Sequence, residues 1–462
     1  MSLHLVLIGA GSREFGPATV TDILLSDALC AQEPSVTLMD LDAGAVEATR
    51  AFAAALAQAR SRPVHFHATT DLQEALSDAD FVIMAVERRR YFYWSQDFHI
   101  PRSLGFQQIY GENGGPGGLF HALRNMPPSL EVVEGMGRLC PDAVLLNYTN
   151  PLTKLCEAQT RLGPVRVIGL CHGVFAGMEQ VAALLERPVH SLEIHSAGLN
   201  HFTWFTSIRD RETGADLYPE LREREARAHW LHDFDEIALS RILLRTYGLW
   251  PSPGANHIGE YLAWAGDLLP SQDMQFFHDP ADGDPWESDR VPPWIYNLRD
   301  RPTDTPLFHP AREGRLKPSP HRGPTVDDPR PSGELAIPII EGLAAGVPHD
   351  LAAVNVPNRG ALPGLPDDAV VELPAQVDAA GLRTLPVEAL PEAALALLRT
   401  QCSINHLLVQ AYEERSRDRL LQALLLDPST RSYGNAVRLI DIMFERQADA
   451  LPALVWHRRQ PS

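Results

Sequence analysis

Short apolar runs alternate with longer amphipathic stretches over the first part of the chain. Residues 3–8 are nearly all apolar and end in Gly9-Ala10-Gly11-Ser12; a helical spacing carrying Thr19, Ile23 and Leu24 follows. Residues 36–40 form a second apolar run that ends in an acid, Asp40, and further runs occupy 81–86, 143–146 and 165–170. Runs this short, with helical periodicity between them, predict parallel strands joined by crossover helices. The pattern changes after residue 195. Residues 209–265 read as helical, 278–332 are rich in Pro, Asp and Arg, and helical spacing returns over 334–343, 391–426 and 433–450, with Pro428 as a breaker. Residues 352–358 and 369–373 are strand-like. The expected organisation is therefore an α/β domain over 1–195 and a mixed α+β domain over 196–462. The Pro-rich stretch is expected to be an ordered excursion over the surface or an oligomer contact, because structureless loops of that length are uncommon.

Composition narrows the partners. The 462 residues carry a net charge of −19, from 40 basic and 59 acidic side chains, which disfavours nucleic acid and anionic membrane. Lys154 and Lys317 are the only lysines, so Schiff-base chemistry and a phosphate-binding P-loop are nearly excluded. Lys154 reads as a solvated helix residue and Arg88-Arg89-Arg90 as a solvent-facing charge run. The five cysteines are odd in number and scattered, which suits a reducing, cytoplasmic setting rather than a disulfide framework. The N-terminus lacks the regions of a signal peptide, and no apolar run is long enough for a membrane span.

Two places carry candidate chemistry. The first is Gly9-x-Gly11-Ser12 with Gly16, between a strand and a helix. Glycines there let backbone amides approach a pyrophosphate at a helix N-terminus, and Asp40 at the end of the second strand is placed to accept from ribose hydroxyls. An acid at that point repels a 2′-phosphate, so the expected cofactor is NAD, on a Rossmann-like sheet of the lactate- and malate-dehydrogenase layout. The second is Cys171, at the carboxyl end of the run 165–170, with His201 thirty residues on. Two protein ligands cannot close a structural zinc site. They could hold a metal with positions open to substrate, or be a buried thiol and a core histidine; spacing alone leaves both readings standing.

The ordered motifs point further. Besides Gly9–Gly16, the chain carries Asp97-x-x-Ile100-Pro101, then Gly114-Gly115-Pro116-Gly117-Gly118 with Arg124-Asn125-Met126-Pro127, and Asn147-Tyr148-Thr149-Asn150-Pro151. Cys171-His172-Gly173, Gly198-x-Asn200-His201 and His257-x-x-Glu260-Tyr261-Leu262 follow, and then Asn355-Val356-Pro357-Asn358-x-Gly360, Asp367–Glu372 and Val377-Asp378. In these segments the chain resembles glycoside hydrolase family 4 over almost its whole length. These are NAD- and divalent-metal-dependent glycosidases, outside the two-carboxylate rule of most glycosidases. The resemblance implies oxidation at C3 of the sugar, loss of the acidified C2 proton, elimination of the aglycone, water addition and re-reduction. It implies Cys171 and His201 as ligands of Mn²⁺ or another divalent metal, His172 as the leaving-group acid and Tyr261 as the C2 base, with Glu260 and His257 as rivals for that base. Asn150 and Asn200 are expected to donate to sugar hydroxyls or metal-bound water. Glu112-Asn113 stands where the family often has Asp-Thr, so Glu112 is a substrate contact in altered form.

The Cys-His-Gly variant is similar to members acting on unphosphorylated α-glycosides. The expectation is an α-glucosidase-like enzyme for a small oligosaccharide or glycoside, assembled as a homodimer or homotetramer. An α-glucuronidase or α-galactosidase of the same family is an alternative. So are an NAD-dependent hydroxy-acid or sugar dehydrogenase, which would leave Cys171 and His201 idle, and a non-catalytic NAD sensor.

Overall fold

The computed structural model describes residues 3–12, 14–227, 234–267 and 323–457. Residues 278–322 of the Pro-rich stretch lie outside the described residues. Twelve described strands form one sheet: β1 (His4–Ile8), β2 (Ser35–Met39), β3 (His65–Thr69), β4 (Phe81–Met84), β5 (Val144–Asn147), β6 (Arg166–Gly169), β7 (Leu192–Leu199), β8 (Phe202–Asp210), β9 (Trp250–Ser252), β10 (His349–Pro357), β11 (Val370–Asp378) and β12 (Gly381–Thr384). Their order is β3-β2-β1-β4-β5-β6-β10-β11-β7-β8-β9, with β12 beside β11. The first six are parallel, in the doubly wound order of Rossmann-like folds. The rest are antiparallel. The expected division at 195/196 falls inside β7, so the two halves share one sheet.

One register line crosses eleven of these strands. It runs Thr69–Met39–Ile8–Met84–Asn147–Gly169 through the parallel half, then Asn355–Glu372–Gly198–Thr203–Ser252 through the antiparallel half. Each parallel strand ends at or beside this line, so Gly9, Asp40, Tyr148 and Cys171 all emerge along one edge. Gly169 is needed there, because a Cβ would come 2.9 Å from that of Asn355 and 2.6 Å from Cys156 Sγ. Apolar side chains of β1, β2, β4 and β5 fill cores on both faces of the sheet. A separate helical core joins the helix Gly115–Leu139 to Glu392–Glu413, Arg417–Leu426 and Tyr433–Arg446.

Several elements differ from the pattern reading. Strand β3 escaped because its His65 and His67 alternate outward at the sheet edge. Residues 209–265 are not continuously helical: β8 runs to Asp210, and β9 follows the helices Tyr218–Arg227 and Phe234–Tyr247. Strand β9 is a three-residue edge strand holding Pro251, too short to show a period. The stretch 391–426 is broken at Arg415, whose φ of 52° ends the first helix.

Candidate active site

The glycine turn is built by exclusion of side chains. A Cβ on Gly9 (φ +87°) would fall 1.9 Å from the Ala85 carbonyl oxygen, and one on Gly16 would fall 2.1 Å from that of Ala10. Ser12 Oγ accepts from the Phe15 amide at 3.2 Å, starting the helix Phe15–Leu25. Asp40 Oδ2 accepts the Gly11 amide at 2.8 Å, and Oδ1 accepts that of Asp42 at 3.0 Å. Asp40 thus pins the turn. The turn leaves no room for side chains and opens at a helix N-terminus, which fits a dinucleotide.

Cys171 follows β6 by two residues and stands one residue before His172, the N-cap of the helix Gly173–Leu185; His201 lies at the tip of the β7–β8 hairpin. Its φ of 63° is in the left-handed region, rare for a side-chain-bearing residue and common where a site stores strain. Cys171 Sγ and His201 Nε2 meet at 3.2 Å. Ligand bonds of about 2.3 Å to sulfur and 2.1 Å to nitrogen, meeting at a right angle, would span about 3.1 Å, so the pair fits one shared cation. No third His, Cys, Asp or Glu joins them in a metal-binding group among the described residues, which leaves coordination positions free. Burial, with Glu372 beside it, pushes the thiol up to about 11 against the Asn200 amide and the Gly173 N–H. Burial holds His201 below the usual imidazole range, the form a metal takes.

Beneath this pair lies a carboxylate that the sequence reading quoted within a motif but gave no role. Glu372 is buried in β11, and its Oε2 accepts Asn200 Nδ2 at 2.9 Å and Asn355 Nδ2 at 3.1 Å. The signal was a lone charge in the apolar run Val370–Leu373. Asn200, expected to face the sugar, spends its amide on this support and on Cys171.

Tyr261 is buried, its ring stacked on Phe202 at 4.8 Å. Burial and the carboxylates of Glu260, Glu112 and Glu372, with Cys171, hold its phenol well above the ordinary value. The rival Glu260 has another task. Its Oε2 accepts the amides of Glu112, Asn113 and Gly114 at 2.9, 2.8 and 2.9 Å, clamping the loop ahead of the helix Gly115–Leu139. The His257 ring packs tilted against His201, centroids 4.2 Å apart and planes 33° from parallel.

Glu112 is buried, and Arg90 donates to its carboxylate. Burial pulls that carboxyl up, but Arg90, His257, His121 and His201 together hold it below the ordinary value. Arg90 also reaches Glu87 and lies over the Trp94 ring, so this arginine is no solvent-facing charge. Asn150 precedes a cis proline, and its carbonyl accepts Asn125 Nδ2 at 2.9 Å. Lys154 is not solvated either. It is buried, donates to the Asn113 carbonyl at 2.6 Å, and burial brings its ammonium down to about 8. The helix pattern could not reveal this, because the face carrying Lys154 is covered by segments distant in sequence. His172 is half-exposed, its Nδ1 3.5 Å from Glu334, which raises its pKa.

Cys171, His172, Asn200, His201, Tyr261 and Glu112 thus gather at one end of the sheet. The glycine turn on β1 lies three strand spacings from β6, about 14 Å along the same edge. Family comparisons read the same way. The "Family 4 glycosyl hydrolase" profile matches residues 4–187, and that of the "Family 4 glycosyl hydrolase C-terminal domain" matches 196–430. The chain belongs to glycoside hydrolase family 4. Among curated relatives of this glycoside hydrolase, an α-glucosidase of Erwinia rhapontici is 30% identical, the match covering 97% of this chain and 98% of that one. An α-galactosidase of Bacillus subtilis is 27% identical over 97% of this chain and 99% of the relative. A 6-phospho-α-glucosidase from gut microorganisms, solved with NAD and Mn²⁺, superposes with a TM-score of 0.75 at 26% identity, covering 98% of this chain and all of that one.

Proposed function

We propose that this glycoside hydrolase cleaves α-linked, unphosphorylated hexopyranosides with NAD and a divalent metal, Mn²⁺ in the first instance. The meeting of Cys171 Sγ and His201 Nε2 at 3.2 Å, on the sheet edge that also carries the glycine turn, supports this reading best. When bound, NAD would supply reversible hydride transfer at C3 of the sugar, and the metal would supply the Lewis acidity that makes the C2 proton removable.

The chain's own residues do the remainder. Gly9, Gly11 and Ser12 receive the pyrophosphate, and Asp40 the ribose. Cys171 and His201 hold the metal, and Glu372 steadies Asn200 against them, as a support beneath ligands does. Tyr261 takes the C2 proton, a task its raised phenol can perform only beside a strong positive charge. His172 protonates the departing C1 oxygen, and water from the open side adds at C1. Asn150 and Glu112 border the sugar. A homodimer or homotetramer in the cytoplasm belongs to the same reading. A dehydrogenase would have no use for the paired thiol and imidazole.

The test is a panel of nitrophenyl α- and β-glycosides of glucose, galactose, glucuronate and galacturonate, with NAD⁺ and Mn²⁺ added or withheld separately under reducing conditions. Hydrolysis of an α-glycoside requiring both, without net NADH, is the expected result. Full activity in a stripped, chelated sample would refute the reading, and stoichiometric NADH would favour a dehydrogenase. In D₂O the product should carry deuterium at C2, and Tyr261→Phe should lose roughly 10²–10⁴-fold in turnover.

A further inference from the structure

His172 stands at the start of the helix Gly173–Leu185 with few restraints of its own. Its side chain is 54% exposed, and among the described residues its ring meets one other aromatic ring, Phe175 at 5.1 Å. A leaving-group acid needs a fixed direction, because proton transfer requires hydrogen-bond reach in the transition state. The residue facing it comes from far along the chain.

Residues 332–336 run past His172 and are stapled at both ends. The Ser332 amide donates to Asp22 Oδ1 at 2.8 Å, and its hydroxyl donates to the other oxygen of the same carboxylate. Asp22 is itself buried, on the helix that the glycine turn opens. At the other end the Ala336 amide donates to Tyr148 Oη at 3.0 Å, beside Asn150. Between the staples Glu334 sets Oε1 3.5 Å from His172 Nδ1.

We propose that Glu334 is the positioning residue for His172: its carboxylate takes the Nδ1 side of the imidazole and turns Nε2 toward the glycosidic oxygen. This rests on reading His172 as the leaving-group acid. A carboxylate behind an imidazole selects one tautomer and one ring orientation, as the third member of a nucleophile–base–orienter set does. The proton passes from Nε2 to the C1 oxygen as the C1–O bond breaks, the bonding pair leaving with oxygen. Glu334 neither gains nor loses a proton. Because the strap is tied to the helix behind the glycine turn and to the loop after β5, the direction of His172 is set by the elements that frame the cofactor and sugar positions.

Leaving-group dependence separates positioning from a structural role. The methyl and p-nitrophenyl α-glucosides share the sugar; nitrophenolate departs without a proton, whereas methoxide needs one. Glu334→Ala should lower kcat on the methyl glucoside roughly tenfold or more, with KM little changed, and leave the nitrophenyl glucoside within about threefold. Glu334→Gln, whose amide oxygen still accepts from Nδ1–H, should recover most of that loss and covers the case where Glu334→Ala fails to fold. His172→Ala should show the same selectivity, more strongly. Equal losses on both glucosides for both Glu334 variants would overturn the proposal. So would selective loss in His172→Ala alone, with the acid reading then intact. No selectivity in His172→Ala would overturn the acid reading, and this proposal with it.

Discussion

Glu260→Gln separates a clamp from a base at the centre of the site. In the wild-type protein one carboxylate oxygen accepts three amides, those of Glu112, Asn113 and Gly114. Glutamine keeps the shape and an acceptor oxygen but turns three charge-assisted bonds into neutral ones. At about 1 kcal/mol lost per bond, the loop should be weakened by about 3 kcal/mol, or roughly a hundredfold in its opening equilibrium. Amide hydrogen exchange at residues 112–114 reads that local opening directly, without requiring the whole chain to unfold in one step. Turnover under saturating NAD⁺ and Mn²⁺ should fall less than about tenfold, because the proton-accepting oxygen on Tyr261 is untouched. Glu260→Ala should be worse than Glu260→Gln, since three buried donors would lose their acceptor at about 1–3 kcal/mol each. The opposite pattern would refute the argument: exchange unchanged in Glu260→Gln, with turnover down by the roughly 10²–10⁴-fold a general base supplies. Glu260 would then be the base and Tyr261 a packing residue.

Cys171→Ser should abolish most hydrolysis and weaken Mn²⁺ binding while NAD⁺ binding stays near wild type, because a hydroxyl is a harder and far less acidic ligand than a thiol; near-normal turnover at low Mn²⁺ would show that the thiol is not a ligand. Gly11→Ala places a Cβ 2.8 Å from Asp40 Oδ2 and from Ala45 Cβ, so the acid must move and NADH affinity should drop by roughly tenfold or more. A fluorescence titration with an unchanged Kd would contradict that. Glu157, on the helix Leu152–Leu162, keeps one buried oxygen without a hydrogen-bond partner, and burial pushes its carboxyl from 4.5 up to about 8. The folded state therefore retains a proton that the unfolded chain releases above about 4.5, and this group makes stability fall as pH rises from there to about 8. Glu157→Gln should gain on wild type in thermal unfolding between pH 5 and pH 8; parallel pH profiles would count against the assignment.

Local pattern carries a long way in this chain. Apart from the half-exposed edge strand β3, the strands up to β6, the glycine turn with Asp40, and Cys171 at a strand end follow from short apolar runs and their punctuation, because parallel strands are buried on both faces and strand ends need turns. The ordered motifs from Gly9 to Asp378 extend that to the family and single out Cys171 and His201, which the fold brings within 3.2 Å of each other. The β7–β8 hairpin was within reach too, since alternation on either side of Asn200-His201 is a tight-turn signal. Lys154 shows where such reading ends. Its helix looks like any other, and only burial under segments distant in sequence, among them the Asn113 carbonyl it donates to, makes the site of the ammonium dry.

The partners that tune the chemistry are equally remote. Glu260 holds amides 146 to 148 residues away, and Glu372 holds an amide 172 residues away. Periodicity records which face of a segment is buried, not what covers it. The apolar and glycine patterns therefore specify the sheet and the two ends of the site. Which carboxylate clamps, which one supports Asn200 and which one faces His172 depends on long-range sheet register and on a strap stapled across the cofactor helix. The support of Asn200 by Glu372 exists only once Asn355, Glu372 and Gly198 fall into one line.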